Sequence, residues 1–325
     1  DEGTEEDDEE EGTTSFSFLT TLGASGGGHR QQVTGIALPR GSDKLFSGSV
    51  DGTVRVWDCG SGQCVQVIEM GRPIFCVIAH GHWVFAGALG GVHGCNTLTR
   101  TGLSLPGPSP AGQVCSLETG DDMLFAGVDD GCILAWRREA TLDDGNRTGG
   151  GESGPCFRPA ASLGGHTSAV VSLVVGSGRL YSGSVDRTIR AWDIGTLQCC
   201  YVLSSAHDDT VTSLLRWSDF LLSCSLDGTL KVWASPTDGR EGLDVVYTRD
   251  EGQSLLLLNG VNDTEAKPVL MCSLADHTVR LYDLPGFTDR GTILSKGGVT
   301  AMHTSPSGFF FTGDVTGELC VWRCP

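Results

Sequence analysis

The sequence has no apolar run close to the roughly 18 residues that a membrane-spanning helix needs. It also has no segment in which charged residues precede an apolar core, the pattern of a signal peptide. We therefore expect a soluble protein of the nucleus or cytoplasm that does not bind membranes. The thirteen cysteines lie mostly in strand-like apolar segments and are interpreted as reduced, small apolar residues.

Motifs of common cofactor sites are not formed either. The sequence has no G-x4-G-K-[ST] phosphate loop, and Gly-rich stretches such as Gly26–Gly28 lead into strand-like segments and not into helices. The cysteine spacing does not indicate a metal site. No C-x-x-C pair occurs, and the pair Cys76 and His80 has no further ligands nearby in the sequence. The sequence therefore predicts no catalytic residue, no metal site and no cofactor.

Basic residues are scarce: 22 Lys and Arg face 40 Asp and Glu, for a formal net charge of -18. Nine of the acids lie in the opening run DEGTEEDDEEE, which predicts a disordered acidic tail or linker over residues 1–14. An alternative is that this run docks a basic partner. The remaining 31 acidic and 22 basic residues still disfavour non-specific binding to nucleic acid.

The sequence does contain a clear internal repeat. Between Leu163 and Ala234, two copies of one unit are offset by 41 residues, so that His166 matches His207 and Trp192 matches Trp233. A repeat of this length that ends in a Trp-Asp-like dipeptide is typical of a propeller blade. Seven such units can be counted, and they end on an aromatic residue or its substitute at Trp57, Cys95, Trp136, Trp192, Trp233, Tyr282 and Trp322.

The units predict an all-β fold, a seven-bladed β-propeller of four-stranded antiparallel blades. The seventh unit lacks a fourth strand, whereas Ser15 to Gly23 is a strand-like segment without a blade. We expect this N-terminal strand to complete the last blade and close the ring, which removes exposed sheet edges. Residues 15–325 then form one domain, and residues 138–156 form an inserted surface loop.

Four residue types recur at fixed offsets: His before the first strand, Ser in the second, Asp in the following turn, and Trp in the third. If the strands pair as predicted, these groups form a hydrogen-bonded chain that holds the strands in register. The set superficially resembles a Ser-His-Asp catalytic site. Because it recurs in several units, we interpret it as structural.

The units resemble WD repeats from Ser15 to Arg323, through GH-like openings and S-x-D-x-T-[VIL]-[RK]-x-W-D closings. The segments SGSVDGTVRVWDCGSGQC and EAKPVLMCSLADHTVRLYDLP are similar to the propeller of plant CCCH-type zinc-finger WD-repeat proteins. This resemblance implies structural tetrads, with the choice between Ser182 and Ser184 left open: His29, Ser49, Asp51 and Trp57; His166, Ser184, Asp186 and Trp192; and His207, Ser225, Asp227 and Trp233. No C-x7-9-C-x5-C-x3-H finger occurs in the chain, so nucleic acid is expected to bind only indirectly, through a finger upstream.

The function expected from these patterns is a non-catalytic scaffold, monomeric within a complex, that binds other proteins or peptide segments. Its binding face is expected where the turns before the first and third strands converge, with these candidate contact residues: Arg72, Arg187, Asp208, Asp209 and His277. One alternative is a propeller that contacts RNA directly, which the acidic composition disfavours. The other is a substrate receptor of a ubiquitin ligase, although Gly60, Glu139, Gly195 and Pro236 replace the Arg or Lys typical three residues after the closing Trp.

Overall fold

Short runs of apolar and β-branched residues, bounded by turns rich in Gly, Asp and Ser, form strands of five to eight residues. The computed structural model describes residues 16–23, 26–139, 156–263 and 265–324. In that part of the chain every regular element is a β-strand, and no helix there could cross a membrane. The predicted tail over residues 1–14 lies outside the described residues.

The strands are numbered in chain order and form seven four-stranded antiparallel sheets. Their bounds are β1 Ser17–Leu22, β2 Val33–Ala37, β3 Lys44–Ser49, β4 Thr53–Asp58, β5 Cys64–Glu69, β6 Ile74–His80, β7 Trp83–Ala88, β8 Gly91–Asn96, β9 Gly102–Pro106, β10 Val114–Gly120, β11 Met123–Val128, β12 Ile133–Glu139, β13 Cys156–Leu163, β14 Val170–Gly176, β15 Arg179–Ser184, β16 Ile189–Asp193, β17 Cys199–Leu203, β18 Val211–Trp217, β19 Phe220–Ser225, β20 Thr229–Ala234, β21 Asp244–Asp250, β22 Leu255–Asn262, β23 Pro268–Leu274, β24 Thr278–Asp283, β25 Thr288–Leu294, β26 Val299–Thr304, β27 Phe309–Asp314 and β28 Leu319–Arg323.

Each sheet is one blade of a propeller. Strands β2–β5 form blade 1, and each following group of four forms the next blade up to β22–β25 in blade 6. Blade 7 contains β26, β27, β28 and β1. The first strands of neighbouring blades contact one another in sequence, and β26 contacts β2, so the blades form a closed ring. The predicted seven-bladed propeller is confirmed.

Closure of the ring depends on β1, as the sequence predicted. Strand β1 pairs antiparallel with β28, with Phe18 opposite Trp322 and Leu22 opposite Leu319. The rings of Phe18 and Trp322 meet edge to face at 5.3 Å between centroids, a geometry that aromatic pairs favour. The strand itself spans Ser17–Leu22, slightly less than the predicted segment from Ser15 to Gly23.

The apolar core is divided into seven clusters, one at each interface between blades. At the interface between blades 7 and 1, Trp57 packs with Phe311, Leu319 and Leu22. The cysteines belong to this packing: the twelve whose side chains are described are free thiols. Burial is the largest influence on the Cys224 thiol and raises its pKa to about 12, so this group stays protonated.

The predicted insertion over residues 138–156 is shorter at both ends than expected. Strand β12 continues through Arg138 and Glu139, and β13 begins at Cys156, because these segments pair with each other. Arg158 and Glu139 also form an ion pair, with 2.8 Å between Nε and Oε2. Residues 140–155 lie outside the described part of the chain.

Closure by β1 predicts different effects for two leucines of that strand. Leu22 is 6% exposed within the core and Leu19 is 42% exposed. Leu22→Ala should lower the free energy of unfolding by roughly 2–3 kcal/mol, through lost burial and the cavity left behind. The matched change Leu19→Ala should alter it by less than about 0.5 kcal/mol. Urea denaturation of both variants checks this, and equal losses would contradict the assigned role of Leu22.

Candidate functional site

In blade 4 the predicted His, Asp and Trp meet around one serine. His166 Nδ1 lies 2.9 Å from Asp186 Oδ2, and His166 Nε2 lies 2.7 Å from Ser182 Oγ. The indole Nε1 of Trp192 donates to the same Ser182 oxygen at 2.9 Å. Blades 1 and 5 repeat this arrangement with distances of 2.7–3.1 Å, through His29, Ser47, Asp51 and Trp57, and through His207, Ser223, Asp227 and Trp233.

The donors and acceptors of the blade 4 tetrad can be ordered from their chemistry. An indole N–H can only donate and an ionised carboxylate can only accept. Trp192 therefore donates to Ser182, the Ser182 hydroxyl donates to His166 Nε2, and the His166 Nδ1–H donates to Asp186. All four groups are satisfied by a neutral imidazole, so the network is complete without a net positive charge on His166.

The prediction for these networks named Ser49, Ser184 and Ser225 and left the choice between Ser182 and Ser184 open. In the structure, Ser47, Ser182 and Ser223 are the serines that contact the His and Trp. Both serines of a blade lie on the same face of the second strand, because side chains two residues apart share a face. Ser184 lies at the end of β15, where its hydroxyl donates to Ser168 O and accepts the Asp186 N–H. It holds the turn, and the indole does not reach it.

The environment keeps each imidazole neutral and each carboxylate charged. Burial lowers the pKa of His166 below its ordinary 6.5, and the nearby Asp186 charge does not outweigh that effect. The pKa of His29 and His207 is lowered in the same direction, again chiefly by burial. Burial alone would raise the pKa of Asp186, but hydrogen bonds from Thr188, Thr167 and His166 lower it to about 2.

The distances in the tetrads match those of a Ser-His-Asp catalytic site, but a substrate cannot reach the serine hydroxyls. Ser47, Ser182 and Ser223 are 0% exposed, and each hydroxyl oxygen already accepts an indole N–H. A nucleophile must reach its substrate, and its hydroxyl must be free to attack. These serines therefore act as bridges between strands, which agrees with the structural interpretation.

Blade 6 has a network that sequence reasoning missed. Glu251 lies four residues before the first strand, where the other blades have His, and Tyr282 takes the place of Trp. The Tyr282 hydroxyl donates to Glu251 at 2.8 Å, and Arg249 Nε and Arg280 Nη1 donate to the same carboxylate at 2.7 and 2.6 Å. The Glu251 side chain is 1% exposed, so the two guanidinium groups offset its buried charge. The spacing of four residues before the strand could have identified it.

The five predicted contact residues are all exposed and lie at the same end of the strands. Some of them lie in the turn after a fourth strand, and the others lie in the turn between a second and a third strand. Both kinds of turn lie at the same end of an antiparallel blade. Arg187, Asp208 and Asp209 are close together, since Arg187 Nη1 donates to Asp208 O at 3.4 Å. Arg72 follows the fourth strand of blade 1 and His277 lies in a turn of blade 6, so the five residues are spread over turns of several blades.

Exposed apolar residues occupy this same end and were missed by the sequence analysis. Val185, Leu226 and Val315 are 40%, 37% and 45% exposed. Each precedes the Asp of its turn, or Thr316 in blade 7, and its N–H donates to a carbonyl just before the first strand of its own blade. That bond anchors the backbone of the turn while the side chain stays exposed. We name Val185, Leu226, Val315, Arg187, Asp208 and Asp209 the turn face.

The described residues contain no group of three or more His, Cys, Asp or Glu side chains that could hold a metal ion. The tetrads bring one His together with one Asp only, and hydrogen bonds already occupy both ring nitrogens.

Comparison with known proteins matches the repeat in three places, and each match begins on or just before the fourth strand of one blade and ends on the third strand of the next. A family model described as WD domain, G-beta repeat matches residues 17–58, 157–193 and 197–234. Zinc finger CCCH domain-containing protein 17 of Oryza sativa subsp. japonica is 55% identical over 309 residues, covering 95% of this chain and 66% of that protein. Zinc finger CCCH domain-containing protein 48 of Arabidopsis thaliana is 49% identical over 309 residues, covering 95% of this chain and 67% of that protein. The chain thus spans about two thirds of the length of these relatives.

Among solved structures, the crystal structure of the WD40 beta propeller domain of Doa1 is similar, with a TM-score of 0.75. The match covers 95% of this chain and 97% of that chain, at 19% sequence identity. At this identity the likeness bears on the fold alone.

The corrected serine assignment is testable by a double-mutant cycle. Ser182→Ala should destabilise the protein by about 2 kcal/mol, because it leaves buried His166 and Trp192 groups without a partner. Combined with Trp192→Phe, it should show a coupling of about 1 kcal/mol in urea denaturation. The matched pair Ser184→Ala with Trp192→Phe should be additive. A larger coupling for Ser184 would contradict the assignment.

Stability should also depend on pH through the buried imidazoles. Their pKa in the folded protein is below the ordinary 6.5, so unfolding takes up protons once the pH falls below about 6.5. The imidazoles should therefore lower the urea midpoint between pH 7.5 and 5.5 at constant ionic strength, whereas burial of Glu118, which raises its pKa to about 7, acts in the opposite direction. His166→Gln should reduce the imidazole contribution, and His82→Gln, at an exposed position, should not. A pH dependence that is the same in His166→Gln and in the unsubstituted protein would refute the neutral imidazole of His166.

Proposed function

Because the chain belongs to the WD-repeat family of plant zinc finger CCCH domain-containing proteins, we propose that it is a non-catalytic scaffold that binds segments of partner proteins. WD40 propellers are in general protein-interaction scaffolds, and the seven blades here have that fold. We place the binding site of this protein on the turn face. Any zinc finger in the whole protein would supply nucleic-acid contacts, while the propeller recruits proteins.

The observation that carries this proposal is the exposure of three large apolar side chains at one position of the repeat. Val185, Leu226 and Val315 are held out to solvent by turns whose own polar groups are satisfied. Exposed apolar residues grouped on one face and bordered by polar residues are typical of protein-binding surfaces. The rigid blades fix their spacing before a partner arrives, which lowers the entropic cost of binding.

The charged residues of the turn face favour a partner of particular chemistry. Asp208 and Asp209 are exposed on blade 5, beside Arg187 of blade 4. With 40 acidic against 22 basic residues in the chain, long-range attraction favours a segment that carries Lys or Arg beside its apolar anchors. The same charge disfavours phosphate backbones, so we propose proteins, rather than RNA, as direct partners in the nucleus or cytoplasm.

Partner capture tests the turn face. The triple variant Val185→Ser, Leu226→Ser and Val315→Ser should recover partners from plant cell extract at least about tenfold less than the unsubstituted chain, a loss of about 1.4 kcal/mol in binding. Quantitative mass spectrometry of affinity-purified complexes measures this recovery. Thermal melting should show both proteins folded, because all three side chains are exposed.

The matched control places three Val or Leu to Ser changes elsewhere. Val65 and Val245 are 53% and 44% exposed near the starts of fourth strands, and Leu98 is 68% exposed between a third and a fourth strand, so Val65→Ser, Leu98→Ser and Val245→Ser remove similar apolar surface at the opposite end of the blades. This control should retain its partners. Unchanged recovery by the turn-face variant, or equal loss in both, would exclude this binding site.

A further inference from the structure

Six of the seven blade interfaces contain an aromatic side chain in the same place. It comes from the third strand of one blade and packs on the blade before it. These residues are Trp57, Trp136, Trp192, Trp233, Tyr282 and Trp322. The third strand of blade 2 has Cys95 instead, and the cluster between blades 1 and 2 contains no aromatic residue from blade 2.

Strand register shows that Cys95 occupies the tryptophan position. Cys95 pairs with Val84 on one side and Gly102 on the other, just as Trp57 pairs with Leu45 and Cys64. The wall opposite is also equivalent, because Phe46, Val54 and Ile68 of blade 1 correspond to Phe311, Leu319 and Leu22, which pack around Trp57. The receiving surface for an aromatic ring is therefore present without the ring.

The space left by this substitution is a cavity of about 260 Å³. Phe46, Val54, Ile68, Met70 and Val84 form its apolar walls. An apolar cavity of about 150 Å³ is enough to take up benzene. The cavity reaches the surface between β5 and β9, where Gly102 is exposed and Leu103 is half-buried, and a Cβ on Gly102 would meet no atom within 4 Å.

One polar side chain lies in this apolar lining. His93 precedes Cys95 by two residues on β8, shares its face and lines the cavity. Burial, and then the charge of Arg72, lower the pKa of His93. Its neutral imidazole has a nitrogen free to accept an N–H, which an indole can donate.

We propose that this cavity, named the blade 2 cavity, binds an aromatic side chain, in particular an indole, presented by a partner polypeptide. Residues 1–15, 24–25, 140–155, 264 and 325, which the structure does not describe, include no Phe, Tyr or Trp. None of them can supply the ring, so we assign it to a partner polypeptide. The choice of a polypeptide as its source rests on the scaffold function proposed above, whereas the cavity itself does not.

The four methionines of the chain provide the measurement. Met70 lines the cavity, and Met123, Met271 and Met302 are buried at other interfaces. In the full chain labelled with 13C at the methionine methyls, added indole should shift the Met70 signal saturably through the ring current and leave the other three in place. If Met70 does not shift, or all four shift together, the proposal is refuted without any variant.

Two substitutions sharpen the experiment. Cys95→Trp should fill the cavity, raise the melting temperature and abolish the Met70 response to indole. Cys199→Trp, which adds the same residue at an exposed cysteine of blade 4, should leave the response unchanged. A Met70 response that persists in folded Cys95→Trp protein would place the indole elsewhere and overturn the proposal.

Peptide probes then identify the source of the ring. A blocked Gly-Gly-Trp-Gly-Gly peptide should shift Met70 as indole does, and the same peptide with Ala in place of Trp should not. If indole binds and the Trp peptide does not, a polypeptide source is overturned. This result is independent of partner capture by the turn face, so failure here and failure of the proposed function are distinguishable.

Discussion

A blade of four strands is stable only when both of its faces are covered by its neighbours. The third strand supplies much of this cover, because its aromatic side chain packs on the second, third and fourth strands of the blade before it, as Trp57 does on Phe311, Leu319 and Leu22. Burial of such a ring removes a large apolar area from water. Since each blade depends on the next, the ring must close, and β1 closes it by completing blade 7.

Burying an indole creates a second requirement, an acceptor for its N–H, and the blades meet it in different ways. In blade 4, the Ser182 hydroxyl accepts the indole N–H of Trp192 and donates its own hydrogen bond to His166 Nε2. In blade 7, Thr312 accepts the Trp322 N–H at 3.0 Å. Blade 6 replaces the indole with a tyrosine hydroxyl and the imidazole with Glu251. The common constraint is the satisfaction of buried polar groups, which several sets of residues can meet.

The repeat made the fold predictable, but it left parts of the site ambiguous. Landmarks that recur about 40 to 55 residues apart form a long-range pattern. The strand-like segment before Val33 could be assigned to the last blade because that blade lacked a fourth strand. By contrast, Ser182 and Ser184 lie on one face of β15, and only the reach of the Trp192 indole separates them. The role of Glu251 is hidden in the sequence because the residue that recurs at this position is His, whereas burial there requires a paired polar group of any type.

The exposed apolar residues of the turns were missed for a different physical reason. Turns are commonly polar because their backbone groups need partners, but the Val185 and Leu226 N–H groups donate to carbonyls of the loop before the first strand. The side chains of Val185 and Leu226 are then not needed to hold the turn. The tetrad residues that stand out in the sequence are buried and fully bonded, so they have little left with which to bind a partner.

Blade 2 differs from the other blades in lacking the aromatic side chain of the third strand. At the other interfaces an internal aromatic ring covers the apolar wall of the preceding blade. Between blades 1 and 2, Cys95 leaves the wall of Phe46, Val54 and Ile68 lining a cavity that opens to the surface. Water beside such a wall finds few hydrogen-bond partners, so its replacement by a ring is favourable. The position whose aromatic ring packs blades together in six blades thus provides a binding site in blade 2.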